Sequence, residues 1–150
     1  MAGLLPSCHL GAFRDVMAQV DASTYQPLNH VAKLDELLDL MCTKAASITN
    51  PIEASFFLWL HTAYLQAFIH GNRRTSRVAA NFPLFKAKYV PLTFAGIAID
   101  DYQAALTSFY ESGDVSIAVD LFEWSYRKAA EEYEGIDFWE RNSGILQSTA

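Results

Sequence analysis

Five residues near the middle of the chain carry most of its capacity to hold an anion. Gly71, Asn72, Arg73, Arg74 and Arg77 fall in the stretch QAFIHGNRRTSR, residues 66–77, and three of the chain's six arginines are among them. A guanidinium is planar and permanently charged, and its fork of N–H donors matches the oxygens of a phosphate. Arg74 and Arg77 are three apart, so they share one face of any helix that starts at Gly71-Asn72. The start of a helix adds amide hydrogens without intrahelical partners and a partial positive charge. Glycine lets the backbone approach an anion closely. Together these parts predict a phosphate cradle. The order GxxxxGK[ST] is absent, so it is not a Walker A loop. The alternative is a solvated basic patch, its arginines paired with carboxylates of the chain or of a partner protein.

The elements that must position this loop are mostly helical. Val31, Leu34, Leu38, Met41 and Ala45 recur at helical spacing and predict a helix over about 29–47. Asn50 as N-cap, Pro51 at the first helical position and Glu53 two residues on predict a new start. The segment that follows, through Phe56, Trp59, Leu60, Ala63 and Leu65 to about Gln66, is apolar nearly all round and predicts a central buried helix. Gly71-Asn72 breaks it. A third helix from about Arg73 is expected to turn Val78, Phe82 and Phe85 inward, with Pro83 kinking it or ending its regular part. Pro91 and Gly96 mark a loop. Asp100 or Asp101 is expected to cap a fourth helix ended by Gly113, and Asp114 a fifth that runs to Gly135. Upstream, Val16, Ala18 and Val20 alternate with polar or flexible residues, which predicts a short β-hairpin or extended flap over 11–27.

Composition sets the outer limits. At 150 residues, 51% hydrophobic and 19% charged, the chain has enough apolar material for one globular core. A formal charge of −6 argues against a nucleic-acid polymer as partner, because such proteins usually present a basic face. Cys8 and Cys42 show no metal spacing and are expected to be reduced thiols. The four histidines, His9, His30, His61 and His70, show no metal-ligand pattern either. The start of the chain lacks a basic region followed by a sustained apolar stretch, and no apolar run is long enough to span a bilayer. The expectation is a cytoplasmic protein with no membrane segment. Residues 1–135 read as one domain and 136–150 as a tail, with Trp139 a candidate tie to the body.

QAFIHGNRRTSR resembles the signature of Fic-domain proteins, HPFxDGNGRxxR. The similarity extends to the flap, to Ala79-Ala80-Asn81-Phe82-Pro83-Leu84, to Pro91-Leu92-Thr93-Phe94 and to Phe122-Glu123-Trp124-Ser125-Tyr126, covering about residues 11–133. It implies an all-α, Fic-like helical bundle with a β-hairpin flap. It further implies ATP as the nucleotide and AMP transfer to a hydroxyl of a target protein. The flap residues Val16, Ala18 and Val20 would pair with that protein target or partner by β-augmentation. They could equally fold down as a lid, or pair with a second copy in a homo-oligomer.

The resemblance also shows what is replaced. Gln66 stands where the family has its general base, a histidine, and an amide cannot accept the hydroxyl proton near neutral pH. His70 stands where the family's acidic residue holds Mg2+, a cation that prefers oxygen ligands. No metal ligand set is therefore expected, and Mg2+ is in doubt. Arg73 stands at a Gly or Lys position, where it adds charge or crowds the cradle if that position needs a positive φ. Gly71, Asn72, Arg74 and Arg77 match the family. The anion-holding half is kept while the proton-moving and metal-holding half is not. The expectation is a nucleotide-binding protein whose AMP transfer is weak or lost. The alternatives are an active adenylyltransferase with a non-standard base, and a module that only binds protein. His61 lies five residues before Gln66, about 500° around a helix, and so faces elsewhere. No Ser/Thr-x-x-x-Glu-Gly/Asn inhibitory motif is present, since Ala130 precedes Glu134-Gly135.

Overall fold

The computed structural model describes residues 11–21 and 23–142, with side-chain surroundings as far as residue 135. Cys8 and the proposed anchoring by Trp139 lie outside what is described. Five helices follow in order: α1 (Val31–Ser47), α2 (Pro51–Leu65), α3 (Asn72–Lys86), α4 (Ile99–Ser112) and α5 (Ser116–Asn142). No strand occurs among the described residues. None of the helices is long and apolar enough to cross a membrane.

α2 is the central element, as its all-round apolarity requires. Asn50 caps it, its side chain accepting from the amides of Ile52 at 2.9 Å and Glu53 at 3.5 Å. Trp59 is fully buried and donates its indole N–H to the Tyr102 hydroxyl of α4 at 2.8 Å. Around it Leu60, Ala63, Leu84, Leu106 and Phe122 join α2, α3, α4 and α5 in one core.

α3 lies closest against α2, and its inner face differs from expectation. Val78, Phe82 and Phe85 are 61%, 65% and 60% exposed. The residues turned inward are Asn72, Ser76, Ala80 and Leu84. Mostly small side chains there let the two helices approach, and bulk on that face would hold them apart. Pro83 lies inside α3 and the helix continues to Lys86. Gly113 ends α4 in the left-handed conformation, φ 73°, its amide bonded to the Phe109 carbonyl. Asp100 and Asp101 do not cap α4. They occupy its first turn, where negative charge suits the helix dipole, and Ala98 takes the cap position. Asp114 accepts from the amide and hydroxyl of Ser116 at 2.9 and 2.6 Å as α5 begins. α5 runs through Gly135 to Asn142. A helical glycine costs only about 1 kcal/mol, too little to force a stop.

Residues 11–21 and 23–30 run as an irregular strap, and the strand pairing of the expected hairpin is not seen among these described residues. Val16 is exposed, Ala18 is half-buried and Val20 joins the core, so the three do not form one presented edge. Glu111 at the end of α4 holds the far side of the strap. Its carboxylate accepts from the Thr24 amide at 2.7 Å and from the hydroxyls of Ser23 and Thr24 at 2.9 and 3.1 Å. Tyr25 rests on the rings of Tyr64 and Tyr110 and donates its hydroxyl to the Tyr64 carbonyl at 2.9 Å.

Candidate functional site

The loop between α2 and α3 closes on itself through one side chain. Asn72 is buried at the start of α3. Its Oδ1 accepts from the Phe68 amide at 2.9 Å, and its Nδ2 donates to the Phe68 carbonyl at 2.8 Å and to Gln66 Oε1 at 3.2 Å. The asparagine that sequence placed among phosphate ligands therefore spends its side chain on shaping the loop. Only its backbone amide remains for an anion.

Gln66 is buried in a left-handed conformation, φ 46° and ψ 47°, at the end of α2. Such a conformation costs a non-glycine residue about 1–3 kcal/mol and needs surrounding bonds to hold it. Those bonds are present. Gln66 Nε2 donates to the Ala63 carbonyl at 2.6 Å, its Oε1 accepts from Asn72, and its backbone oxygen accepts from Arg14 Nε at 2.6 Å. Both ends of the amide are engaged at the position where the resemblance puts a base.

Arg14 is the residue that sequence reasoning missed. It is 1% exposed. Its guanidinium also donates to the Val16 carbonyl at 3.1 Å, to Asn29 Oδ1 at 3.4 Å and to the Leu28 carbonyl. Its amide donates to the Ala67 carbonyl at 2.9 Å. Burial lowers its pKa, but a guanidinium stays charged in proteins. The charge meets the carbonyl of Gln66, the residue that caps the C-terminal, negative end of α2. Arg14 thus joins both limbs of the strap to the loop. A lone arginine near the start of a sequence carries no such signal, because its partners lie as far as 52 residues away.

The three loop arginines diverge. Gly71 has φ 85° as the residue before α3, with no side chain to cap the helix. The Arg74 guanidinium lies over it, so that a Cβ there would be 3.5 Å from Nη2. Arg73 and Arg77, four apart, line a separate cavity of about 180 Å3 with Phe94, Ile97, Ile99 and Tyr102. The Arg77 guanidinium carbon is 5.8 Å from the Tyr102 ring centroid. Arg73 lies within the helix with no positive φ, so its side chain causes no backbone strain. Among the described residues none of the three pairs with a carboxylate.

The remaining groups bound the chemistry. His70 is exposed on the loop. Among the described residues no three of His, Cys, Asp or Glu come together to hold a metal ion. An imidazole alone is a poor Mg2+ ligand, so these residues do not fit a protein-held Mg2+. His61 stacks on Phe57 at 4.0 Å and bonds the Phe57 carbonyl, a packed helix histidine whose burial lowers its pKa. Among the described residues the buried Tyr110 hydroxyl has no partner in hydrogen-bonding geometry. Gln66 and Arg73 lie near enough to lower its pKa somewhat, but burial wins and raises it. Tyr110 is therefore a neutral phenol and no substitute base.

A family model described as Fic/DOC family matches residues 1–84. These residues include the strap, α1, α2, the loop and nearly all of α3. With more than half of its 150 residues matched, the chain belongs to the Fic/DOC family.

Proposed function

We propose that this Fic-fold protein binds ATP through a kept phosphate cradle and transfers AMP to protein hydroxyls weakly or not at all. The observation that carries the reading is the contrast at one loop. Gly71 holds a positive φ beneath the Arg74 guanidinium, while the amide of Gln66 is tied down on both sides. The first amides of α3 and Arg74 would hold phosphate oxygens, with the charges of Arg73 and Arg77 nearby. A hydroxyl acceptor would find no base, and such a loss typically lowers a rate by about 10²–10⁴. No step is assigned to a protein-held Mg2+. The exposed Val16 and Met17 of the strap offer an apolar contact to a protein partner.

Calorimetric titration of ATP with Mg2+ in the buffer tests the cradle. Saturable binding is expected in the wild type, with Arg74→Ala weaker by about 10–100-fold, the worth of a charge-assisted hydrogen bond. Absence of binding in both proteins would remove the nucleotide from the proposal and leave a protein-binding module. Robust AMP labelling of a protein by the wild type, lost in Arg74→Ala, would refute the inactive half.

A further inference from the structure

The cavity beside the loop has a chemistry of its own. Two guanidinium groups, Arg73 and Arg77, face a wall made of Tyr102, Phe94, Ile97 and Ile99. Phe94 is buried in a left-handed conformation, φ 55°, with its ring edge-on to Tyr102 at 5.7 Å. Tyr102 is fixed from behind by the Trp59 indole. At about 180 Å3 the space is smaller than the roughly 300–1,000 Å3 typical of drug-sized ligands. It suits one oxyanion with a short apolar body, not a whole nucleotide. Arg73 lines the cavity from the first turn of α3, the same turn whose leading amides belong to the cradle.

The lost base acquires a different meaning beside such a cavity. A serine, threonine or tyrosine hydroxyl must lose a proton to attack phosphorus, which is the task of a general base. A carboxylate has a pKa of about 4 and a phosphate monoester a second pKa of about 6, so each is already an anionic nucleophile at neutral pH. Gln66 would be no handicap to that acceptor. Its uncharged amide would also spare the site a negative group that repels an anion.

We propose that the Arg73–Arg77–Tyr102 cavity holds a small oxyanion, a carboxylate or phosphate with a short apolar body, that serves as acceptor of the nucleotidyl group. The inference rests on the nucleotide-binding reading above. The acceptor oxygen attacks the α-phosphorus of ATP and forms a new O–P bond. The bond from that phosphorus to the α,β-bridging oxygen breaks, and pyrophosphate leaves with the electron pair. No proton is removed from the acceptor. The product is a mixed anhydride, an acyl adenylate from a carboxylate or a phosphoanhydride from a phosphate.

The test uses the full chain with ATP and two probe acceptors, benzoate and inorganic phosphate. Pyrophosphate release is followed, together with benzoyl hydroxamate trapped by hydroxylamine or ADP formed from phosphate. The two arms separate the two acceptor chemistries. The wild type is expected to release pyrophosphate only when an acid is added. At ATP concentrations saturating for each protein, Arg73→Met and Arg77→Gln should each lower that release at least ~10-fold by raising the KM for the acid. Gln66→His should not raise it. ATP affinity, measured by calorimetry on the same samples, keeps the two failures apart. ATP binding with no release for either acid overturns this inference and leaves the nucleotide reading standing. Release that rises in Gln66→His overturns it too, since a base would then be limiting. No ATP binding overturns both.

Discussion

Arg14 places a full positive charge in the interior, and among the described residues no carboxylate meets it. Backbone carbonyls from Val16, Leu28 and Gln66 take its donors instead. Truncation would strand those acceptors and open a cavity. Arg14→Ala is expected to lower the unfolding free energy by about 2–4 kcal/mol, read from urea melts. Arg14→Lys should recover less than half of that, because three donors on one atom cannot span carbonyls that a planar fork reaches. An unchanged Arg14→Ala melt would mean that the strap contributes nothing to stability. The contrast with the loop arginines shows what sequence can and cannot disclose. Their spacing after a Gly-Asn pair predicts an anion site, and helix periodicity pairs Arg74 with Arg77. The structure instead pairs Arg73 with Arg77 in one cavity and sets Arg74 over Gly71. Periodicity ranks faces of a helix but says nothing of where a long, flexible side chain comes to rest. The role of Asn72 was hidden for a related reason, since its partners are the loop's own backbone.

At the scale of elements, α3 is the informative case. Its inward face of Asn72, Ser76, Ala80 and Leu84 sits against α2, and its large apolar side chains look outward. Ala80 is fully buried, so Ala80→Leu is expected to cost about 1–3 kcal/mol by overpacking the α2–α3 contact. Phe82→Ser should stay within about 0.5 kcal/mol of the wild type in the same melts, as an exposed position does. The reverse ranking would restore the face expected from hydrophobicity. Helix positions were legible because caps and breaks are local chemistry: Asn50, Gly71 and Gly113 mark boundaries where read. The inner face of α3 was not, because close helix approach selects small residues and so inverts the usual apolar pattern. Of the hairpin and the extended flap that the period-2 pattern predicts over 11–27, the pairing of a hairpin is not seen among the described residues. The strap's hold comes from side chains, Arg14 at one end and Glu111 at the other, which a period-2 pattern does not register.

For the whole molecule, the titrating groups set a bounded pH range. Burial raises the pKa values of Tyr25, Tyr102 and Tyr110, so the folded state keeps these phenols neutral. The unfolded chain loses those protons near pH 10, and the contribution they make is intact below that pH and lost as pH rises above it. Burial lowers the pKa of His61, so below about pH 6.5 the unfolded state takes up a proton that the folded state resists. Its contribution is present above that pH and falls away on acidification. Hydrogen bonds from Thr24 and Ser23 lower the Glu111 pKa, and those from Ser116 lower that of Asp114, which extends the acid loss below about pH 4.5. Denaturation midpoints measured across pH should form a plateau between about pH 7 and 9.5 with declines on both sides. The alkaline decline should coincide with the rise of phenolate absorbance. A midpoint still rising past pH 10 would contradict the assignment of neutral buried phenols. The bond from the Arg14 amide to the Ala67 carbonyl adds a kinetic expectation. Amide protons of the strap and of residues 66–72 should exchange with solvent through one shared opening, at one rate, so a protein that lifts the strap would be felt in the loop's deuterium uptake before any ligand reaches it.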